Sequence, residues 1–334
     1  MGIIVQKFGG TSLMDAHGLN SLLHHVKKSK DEGNDLVIVV SAMGRKGKPY
    51  ATDTLIQQLE NINSNIDPVK KDLMMCCGEI ISSALVSHFL DSNGFKTVPL
   101  LGFQAGILTD SNFNSAEIIN IDTSNILGIL KKGNIAVVAG FQGMDENMNL
   151  TTLGRGGSDI TAIYLGGFLK ADRVDIFTDV DGIHVVDPKI IPHSKNIDSI
   201  SYTNMYNMAY YGAKVIHPKA VLAAEEFNIP ISIRKTFSNE KGTIISKSDD
   251  EKSNHILGII SEKDEQTGNY KGKVSIFFSH TIIDIIKSKV NNLLFKSNYK
   301  IFDVTWKSNM AHFMLEPQNN ISFVKDLYYY FFSN

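Results

Sequence analysis

Residues 36–40 read Leu-Val-Ile-Val-Val, an unbroken aliphatic run rather than an alternating one. A run of this kind describes a strand covered on both faces, the situation of a parallel sheet sandwiched between helices. Further strands are read at residues 3–8, 96–100, 135–139, 174–177 and 231–234, of which 135–139 is likewise an unbroken apolar run. Stretches of helical period separate them, at 15–32, 54–61, 69–90, 203–211 and 213–227, with another opening at Gly157. Strands alternating with helices predict an α/β fold built on a mostly parallel sheet. Four runs end in small polar turns: Gly9-Gly10-Thr11-Ser12, Ser41-Ala42-Met43-Gly44, Gly140-Phe141-Gln142-Gly143 and Thr178-Asp179. Ligands in open parallel sheets bind at the carboxyl ends of the strands, so these turns are expected to share one site.

Composition narrows the partners. The 334 residues carry a net charge of -2, with 20% charged residues. That balance argues against a nucleic-acid surface and against a polybasic membrane patch. Cys76 and Cys77 are adjacent in a helical stretch and point different ways, which suits a reducing compartment. No signal peptide opens the chain and no apolar run reaches the ~18 residues of a membrane span. A cytoplasmic protein is the expectation.

Past residue 245 the composition changes. Residues 246–254 are a polar run, read as a linker. Strands at 256–260 and 273–278, a helix at 281–297, strands at 299–306 and 310–315 and a helix at 321–332 follow. This is a small α+β sandwich of ferredoxin-like order whose last strand is missing. The strand at 256–260 is placed to fill that gap. The expected domains are therefore 1–245, a linker at 246–254, and 255–334. The aromatic run Tyr328-Tyr329-Tyr330-Phe331-Phe332 is expected to pack the small domain or a second copy.

Chemistry concentrates in two stretches. Thr151-Thr152-Leu153-Gly154-Arg155-Gly156-Gly157-Ser158-Asp159 supplies three glycines, a guanidinium and a carboxylate just ahead of a helix. Glycines admit close backbone approach, and a helix start adds a positive end. Arg155 adds a planar fork for a carboxylate or phosphate. A Gly-rich turn with a Ser/Asp helix cap is the plainer reading of the same residues. The second stretch is Lys7-Phe8-Gly9-Gly10-Thr11-Ser12, a lysine at a strand end beside two glycines. It suits phosphate oxygens, but it has neither Walker A nor dinucleotide-fingerprint spacing.

These residues resemble aspartate kinase. The match runs in order through Lys7 to Ser12, Ser41 to Gly44, Gly78-Glu79, the 151–159 stretch, Thr178-Asp179-Val180-Asp181-Gly182, Asp187-Pro188, and Gly212-Ala213-Lys214-Val215-Ile216-His217-Pro218. It covers about residues 1–245, and the phrases at 41–47 and 49–53 look most like the Gram-positive branch. The resemblance implies the amino-acid-kinase fold with a C-terminal ACT-like domain. It also implies phosphorylation of L-aspartate by ATP, the first step toward lysine, threonine, methionine and diaminopimelate.

By the same resemblance Lys7, Phe8, Gly9 and Gly10 would hold phosphates, with Lys7 on the transferring group. Ser41, Thr52 and Glu79 would line the aspartate pocket, Glu79 taking the ammonium. Arg155 would grip the α-carboxylate, with Gly156, Gly157, Ser158 and Asp159 around it. Thr178, Asp179, His184, Lys189, Lys214 and Val215 would meet the nucleotide, and Lys7, Asp159 and Lys214 would serve the transfer itself. Mg²⁺ would ride mainly on nucleotide oxygens and water, near Asp159 or Asp179, with no dedicated protein metal site. The attacking β-carboxylate is ionised at neutral pH, so no general base is required. A homodimer through the ACT-like domain is expected.

Departures qualify the resemblance. Lys189 stands where the family usually has arginine, keeping the charge but losing the fork. His184 replaces a more apolar side chain. Aspartate kinases usually end in two ACT domains, and only about one fits here. Weak or absent feedback by lysine and threonine is therefore expected. Two other readings stay open: a kinase for another carboxylate, such as glutamate or N-acetylglutamate, and a non-catalytic amino-acid sensor that keeps the fold.

Overall fold

The computed structural model describes residues 2–248, 256–263, 268–279 and 282–332. Most of the expected linker, 249–254, lies outside the described residues. In chain order the elements begin β1 (Ile3–Phe8), α1 (Ala16–Asp31), β2 (Asp35–Val40), α2 (Thr52–Glu60), α3 (Pro68–Asp91) and β3 (Thr97–Leu100). Next come β4 (Ile107–Thr109), β5 (Ile118–Ile121), α4 (Ser124–Leu130), β6 (Ile135–Ala139), β7 (Gln142–Met144), β8 (Leu150–Thr152), α5 (Gly157–Leu169) and β9 (Arg173–Thr178). Then follow β10 (Ile183–His184), β11 (Asn196–Ile197), β12 (Ser199–Ser201), α6 (Tyr202–Tyr210), α7 (Pro218–Phe227), β13 (Ile231–Lys235) and β14 (Thr243–Ser246). The chain closes with β15 (Ile256–Lys263), β16 (Tyr270–Phe278), α8 (Ile283–Lys296), β17 (Ile301–Trp306), β18 (Met310–Leu315) and α9 (Asn320–Phe332).

The chain forms two compact units. The first comprises residues 1–181 and 222–241, the second 182–221 and 242–334. Among the described residues of the first unit, six parallel strands run in the order β13-β9-β1-β2-β6-β3. The aliphatic runs predicted this. Val37, Ile38, Val39 and Val40 are fully buried, as are Ala136, Val137 and Val138. One face closes on α1 and α3 through Leu22, Val26, Val86 and Leu90, which join Ile4, Phe8, Leu36 and Phe177 in a single cluster. Burying each such side chain contributes about 1.5–3 kcal/mol.

Sequence reading left residues 101–134 unassigned. They hold β4, β5 and α4, and β4 and β5 join β7 and β8 in a small second sheet of order β5-β4-β7-β8. Strands of three or four residues carry too few positions for a period to show. A second difference lies at residues 213–217, expected to be helical. The helix α7 instead starts at Pro218. Proline suits the first helical position and disfavours helix in the residue before it. A third concerns α3. By length and composition this helix is long and apolar enough to cross a membrane, which corrects the expectation of no such run. Half of that stretch is buried, and the buried face includes Asp72 and Glu79.

In the second unit β15, β16, β18 and β17 form an antiparallel sheet in that order. Helices α8 and α9 complete the sandwich expected from sequence, with β15 in the place of the missing last strand. Phe277, Phe278, Phe313 and Phe323 are fully buried in it. Tyr328 is buried too, its hydroxyl accepting from Lys195 N–H (2.9 Å) and donating to His193 O (3.2 Å). The ring is thus a packing residue within its own unit.

Candidate active site

Strands β9, β1, β2 and β6 are consecutive and parallel, so their carboxyl ends share one edge of the sheet. Backbone hydrogen bonds tie the turns that leave them. Gly9 N–H donates to Phe177 O (3.2 Å), Ser41 N–H to Phe8 O (3.2 Å) and Gly140 N–H to Val40 O (2.9 Å). Gly44 N–H donates to Gly10 O at 3.0 Å, closing the first turn on the second. A Cβ on Gly10 would lie 2.3 Å from Ala42 O, so only glycine allows that approach.

Lys7 occupies the end of β1, in register with Ile176 on one side and Val39 on the other. Its ammonium lies 2.7 Å from Asp159 Oδ1, and the two side chains are only 12% and 13% exposed. Partial burial strengthens such a pair relative to a surface one. Asp159 stands in the first turn of α5, where the helix dipole favours an anion. Gly156 caps that helix in the left-handed conformation, φ 71°. Ser158 packs against Gly140, whose added Cβ would meet Ser158 Cβ at 2.9 Å. The 151–159 stretch and the Lys7 turn are therefore one assembly. Arg155 itself is exposed at the tip.

Glu79 enters from α3. It is 3% exposed; its Oε1 accepts from Ala42 N–H (3.0 Å), while its buried Oε2 has no hydrogen-bond partner among the described residues. Burial pushes its pKa up to about 8. Gly78, one residue earlier, lets α3 press against Ala42 and Tyr50 O, each 2.7 Å from the position of an added Cβ. A carboxyl with an open oxygen, buried beside a strand end, has the chemistry to receive a cationic group that supplies the missing donors. Ser41 and Thr52 are partly buried, Thr52 as the first residue of α2.

At the fourth strand end, Thr178 donates its hydroxyl to Asp179 Oδ1 (3.2 Å), and Asp179 pairs with Arg45 at 2.7 Å. This pair is exposed on both sides. His184, Lys189, Lys214 and Val215 belong to the second unit. His184 Nδ1 lies 2.9 Å from Ser194 O. Lys189 follows an Asx turn, its N–H donating to Asp187 Oδ1 (2.9 Å), and its side chain is exposed, as is that of Lys214. Val215 is partly buried. The first-unit candidates are thus gathered at one sheet edge, and these four form a separate set.

Three residues that sequence reading missed support this edge. Asp72 anchors the approach to Gly154. Thr236 bonds both Ser12 and Thr178, and Arg45 pairs with Asp179. For Asp72 a signal existed: two acids, Asp72 and Glu79, lie seven residues apart, two helical turns, on one face of a largely apolar helix. Thr236 and Arg45 carry no comparable pattern.

Residues 2–235 match the model of the amino acid kinase family. The chain is 46% identical over 246 residues to aspartokinase 1 of Bacillus subtilis, covering 74% of this chain and 61% of that one. It is 40% identical over 267 residues to the aspartokinase of Geobacillus stearothermophilus, covering 80% and 64%. The chain therefore spans less than two thirds of these relatives. In fold it matches Escherichia coli aspartokinase III, solved in complex with aspartate and ADP. The TM-score is 0.77 at 21% identity, over 99% of this chain and 100% of that one. The aspartate kinase of Clostridium acetobutylicum gives a TM-score of 0.74 at 19% identity, over 98% and 100%.

Proposed function

Because this chain belongs to the amino acid kinase family, we propose that it is an aspartate kinase, moving the γ-phosphoryl group of ATP to the β-carboxylate of L-aspartate. The products are 4-phospho-L-aspartate and ADP. The observation that carries this reading is the buried Glu79 with one open oxygen, set at the strand edge that also holds Lys7 and the Arg155 stretch. An α-amino acid offers an ammonium to Glu79, an α-carboxylate to Arg155, and a second carboxylate as nucleophile. The similarity to aspartokinases supports the same assignment.

In this reading the residues position and neutralise rather than exchange protons. The β-carboxylate is already ionised. Lys7 leaves Asp159 to meet the transferring phosphoryl group, and the N–H groups of Gly9 and Gly10 and the start of α5 add positive potential. Ser41, Thr52, Gly156, Gly157 and Ser158 line the acceptor. Phe8, Thr178, Asp179, His184, Lys189, Lys214 and Val215 serve the nucleotide, and Lys214 is a further candidate for the transfer. Among the described residues no cluster of three or more His, Cys, Asp or Glu is placed to hold a metal. Asp159 and Asp179 are each already paired with a cation. This donor set fits Mg²⁺ carried by phosphate oxygens, with Asp159 or Asp179 reaching it through water. When bound, Mg²⁺ would neutralise charge on the phosphates.

We place the catalytic domain at 1–245, the linker at 246–254 and one ACT-like domain at 255–334. A homodimer through that domain is part of the proposal, supported by exposed Phe295, Phe302 and Tyr329.

The test is incubation of the purified chain with Mg-ATP and aspartate, glutamate or N-acetylglutamate, with hydroxylamine to trap the acyl phosphate. Aspartyl hydroxamate is the expected product. A glutamyl product would reassign the acceptor, and none at all would favour an amino-acid sensor.

A further inference from the structure

Asp72 is fully buried in α3, a long and largely apolar helix. It faces four donor contacts. Its Oδ2 accepts from Thr152 N–H (2.8 Å), its Oδ1 from the Thr152 hydroxyl (2.8 Å), and both oxygens lie 3.0 Å from Asn114 N. Burial raises its pKa, against the pull of these donors.

The partners of Asp72 are the approach to the glycine stretch. Thr152 ends β8 two residues before Gly154, and its carbonyl accepts from Ala116 N–H at 2.8 Å. Asn114 stands at φ 66°, and its carbonyl oxygen would be 3.1 Å from a Cβ on Gly154, itself at φ 72°. Thr151, one residue earlier, shares a hydroxyl bond with Thr109 at 2.6 Å. Two left-handed residues are thus held against each other beside one buried carboxylate. Two turns further along α3, Gly78 and Glu79 fix the helix against Ala42.

We infer that Asp72 is a positioning residue that sets the spacing between Arg155 and Glu79, by pinning Thr152 and Asn114 to the helix that carries Glu79. The inference rests on the acceptor reading given above. Arg155 and Glu79 hold opposite ends of a short amino acid, so a shift of their spacing weakens acceptor binding and leaves the nucleotide alone. Asparagine at position 72 is nearly isosteric but turns an NH₂ toward backbone N–H donors. The carboxylate is needed, not merely its volume.

Steady-state kinetics of the full chain with Asp72→Asn tests this. The KM for aspartate should rise at least about tenfold while the KM for Mg-ATP stays within about twofold, since removal of uniform binding to one substrate appears in that substrate's KM. Equal rises in both constants, or none, would overturn the inference. Thr152→Val removes one of the four contacts and should shift the aspartate KM in the same direction by less, with Thr152→Ser restoring it. These two variants decide the matter should Asp72→Asn fail to fold; an unshifted aspartate KM in Thr152→Val would then overturn it. If the unmodified chain forms no aspartyl hydroxamate, the acceptor reading falls by itself. Amide hydrogen exchange then reads the pinning directly. Segments 112–116 and 150–159 should exchange faster in Asp72→Asn with 36–42 unchanged, and unchanged exchange at 150–159 would refute the role.

Discussion

Ala42 donates its N–H to Glu79 Oε1 at 3.0 Å, and the opposite oxygen, Oε2, is buried with no hydrogen-bond partner among the described residues. Half of this carboxyl is served by the loop after β2 and half is left open. With its pKa raised to about 8, Glu79 is protonated in the ligand-free protein at pH 7 but ionised in the unfolded chain. Its contribution to stability is therefore full below the ordinary glutamate range and lost as pH rises toward 8. Ligand-free protein should lose about 1–3 kcal/mol between pH 5 and pH 8 through this group, and Glu79→Gln should flatten that slope in thermal melts. Protection by aspartate should grow over the same interval, because an ammonium favours the ionised form.

Lys7 and Asp159 hold each other at 2.7 Å. Lys7→Ala should cut turnover by at least about 100-fold, the scale for removing one preorganised charge stabiliser. Near-normal turnover would remove Lys7 from the transfer step. Asp159→Asn should lower turnover less than Lys7→Ala, measured in the same hydroxamate assay.

Thr236 is a junction behind the site. Its N–H and its hydroxyl both donate to Thr178 O (2.9 and 3.1 Å), its Oγ1 receives Ser12 (2.5 Å), and its carbonyl accepts from His25 Nε2 (2.8 Å). Burial lowers the His25 pKa to about 4. A neutral buried histidine stabilises fully above its ordinary range, and that share is lost as pH falls from about 6.5 through 4. Thr236→Val should destabilise by about 1–3 kcal/mol, the cost of orphaned buried partners. Thr236→Ser should recover most of it, with denaturant unfolding as the measure.

The second unit offers one α+β sandwich among its described residues, where the sequence resemblance implies two in tandem. Lysine and threonine, singly or together at about 1 mM, the strength of weak small-molecule binding, should change the rate by less than about twofold. Strong inhibition below that concentration would show that one sandwich suffices for an effector site.

Much of the architecture was legible because aliphatic runs of five and six residues have few alternative uses. Residues 36–40 and 135–139 are short and rich in β-branched side chains, which favours covered strands over helix, and parallel strands deliver their ends to one edge. Lys7, Gly10 and the 151–159 stretch were visible because glycine beside charge is an unusual local pattern. Thr236 was not, and the spacing of Asp72 from Glu79 did not say what Asp72 holds, since their importance lies in partners 42 to 224 residues away. The strands β4, β5, β7 and β8 stayed hidden for a different reason: their pairing is set by neighbours, not by their own three or four residues.

Strand β15 has a consequence for anyone cutting this chain. It precedes the sandwich in sequence yet forms the outer rail of its sheet, paired to β16 from Ile256 to Lys263. A fragment begun at Gly268 would leave β16 with a bare edge, a template for sticking to other chains. A fragment begun ahead of Ile256 would keep the sheet whole but sever the bond from Ile259 N–H to Val185 O. The small module therefore has no clean seam, and it should be exchanged between relatives only together with the 182–221 segment that leans on its first strand.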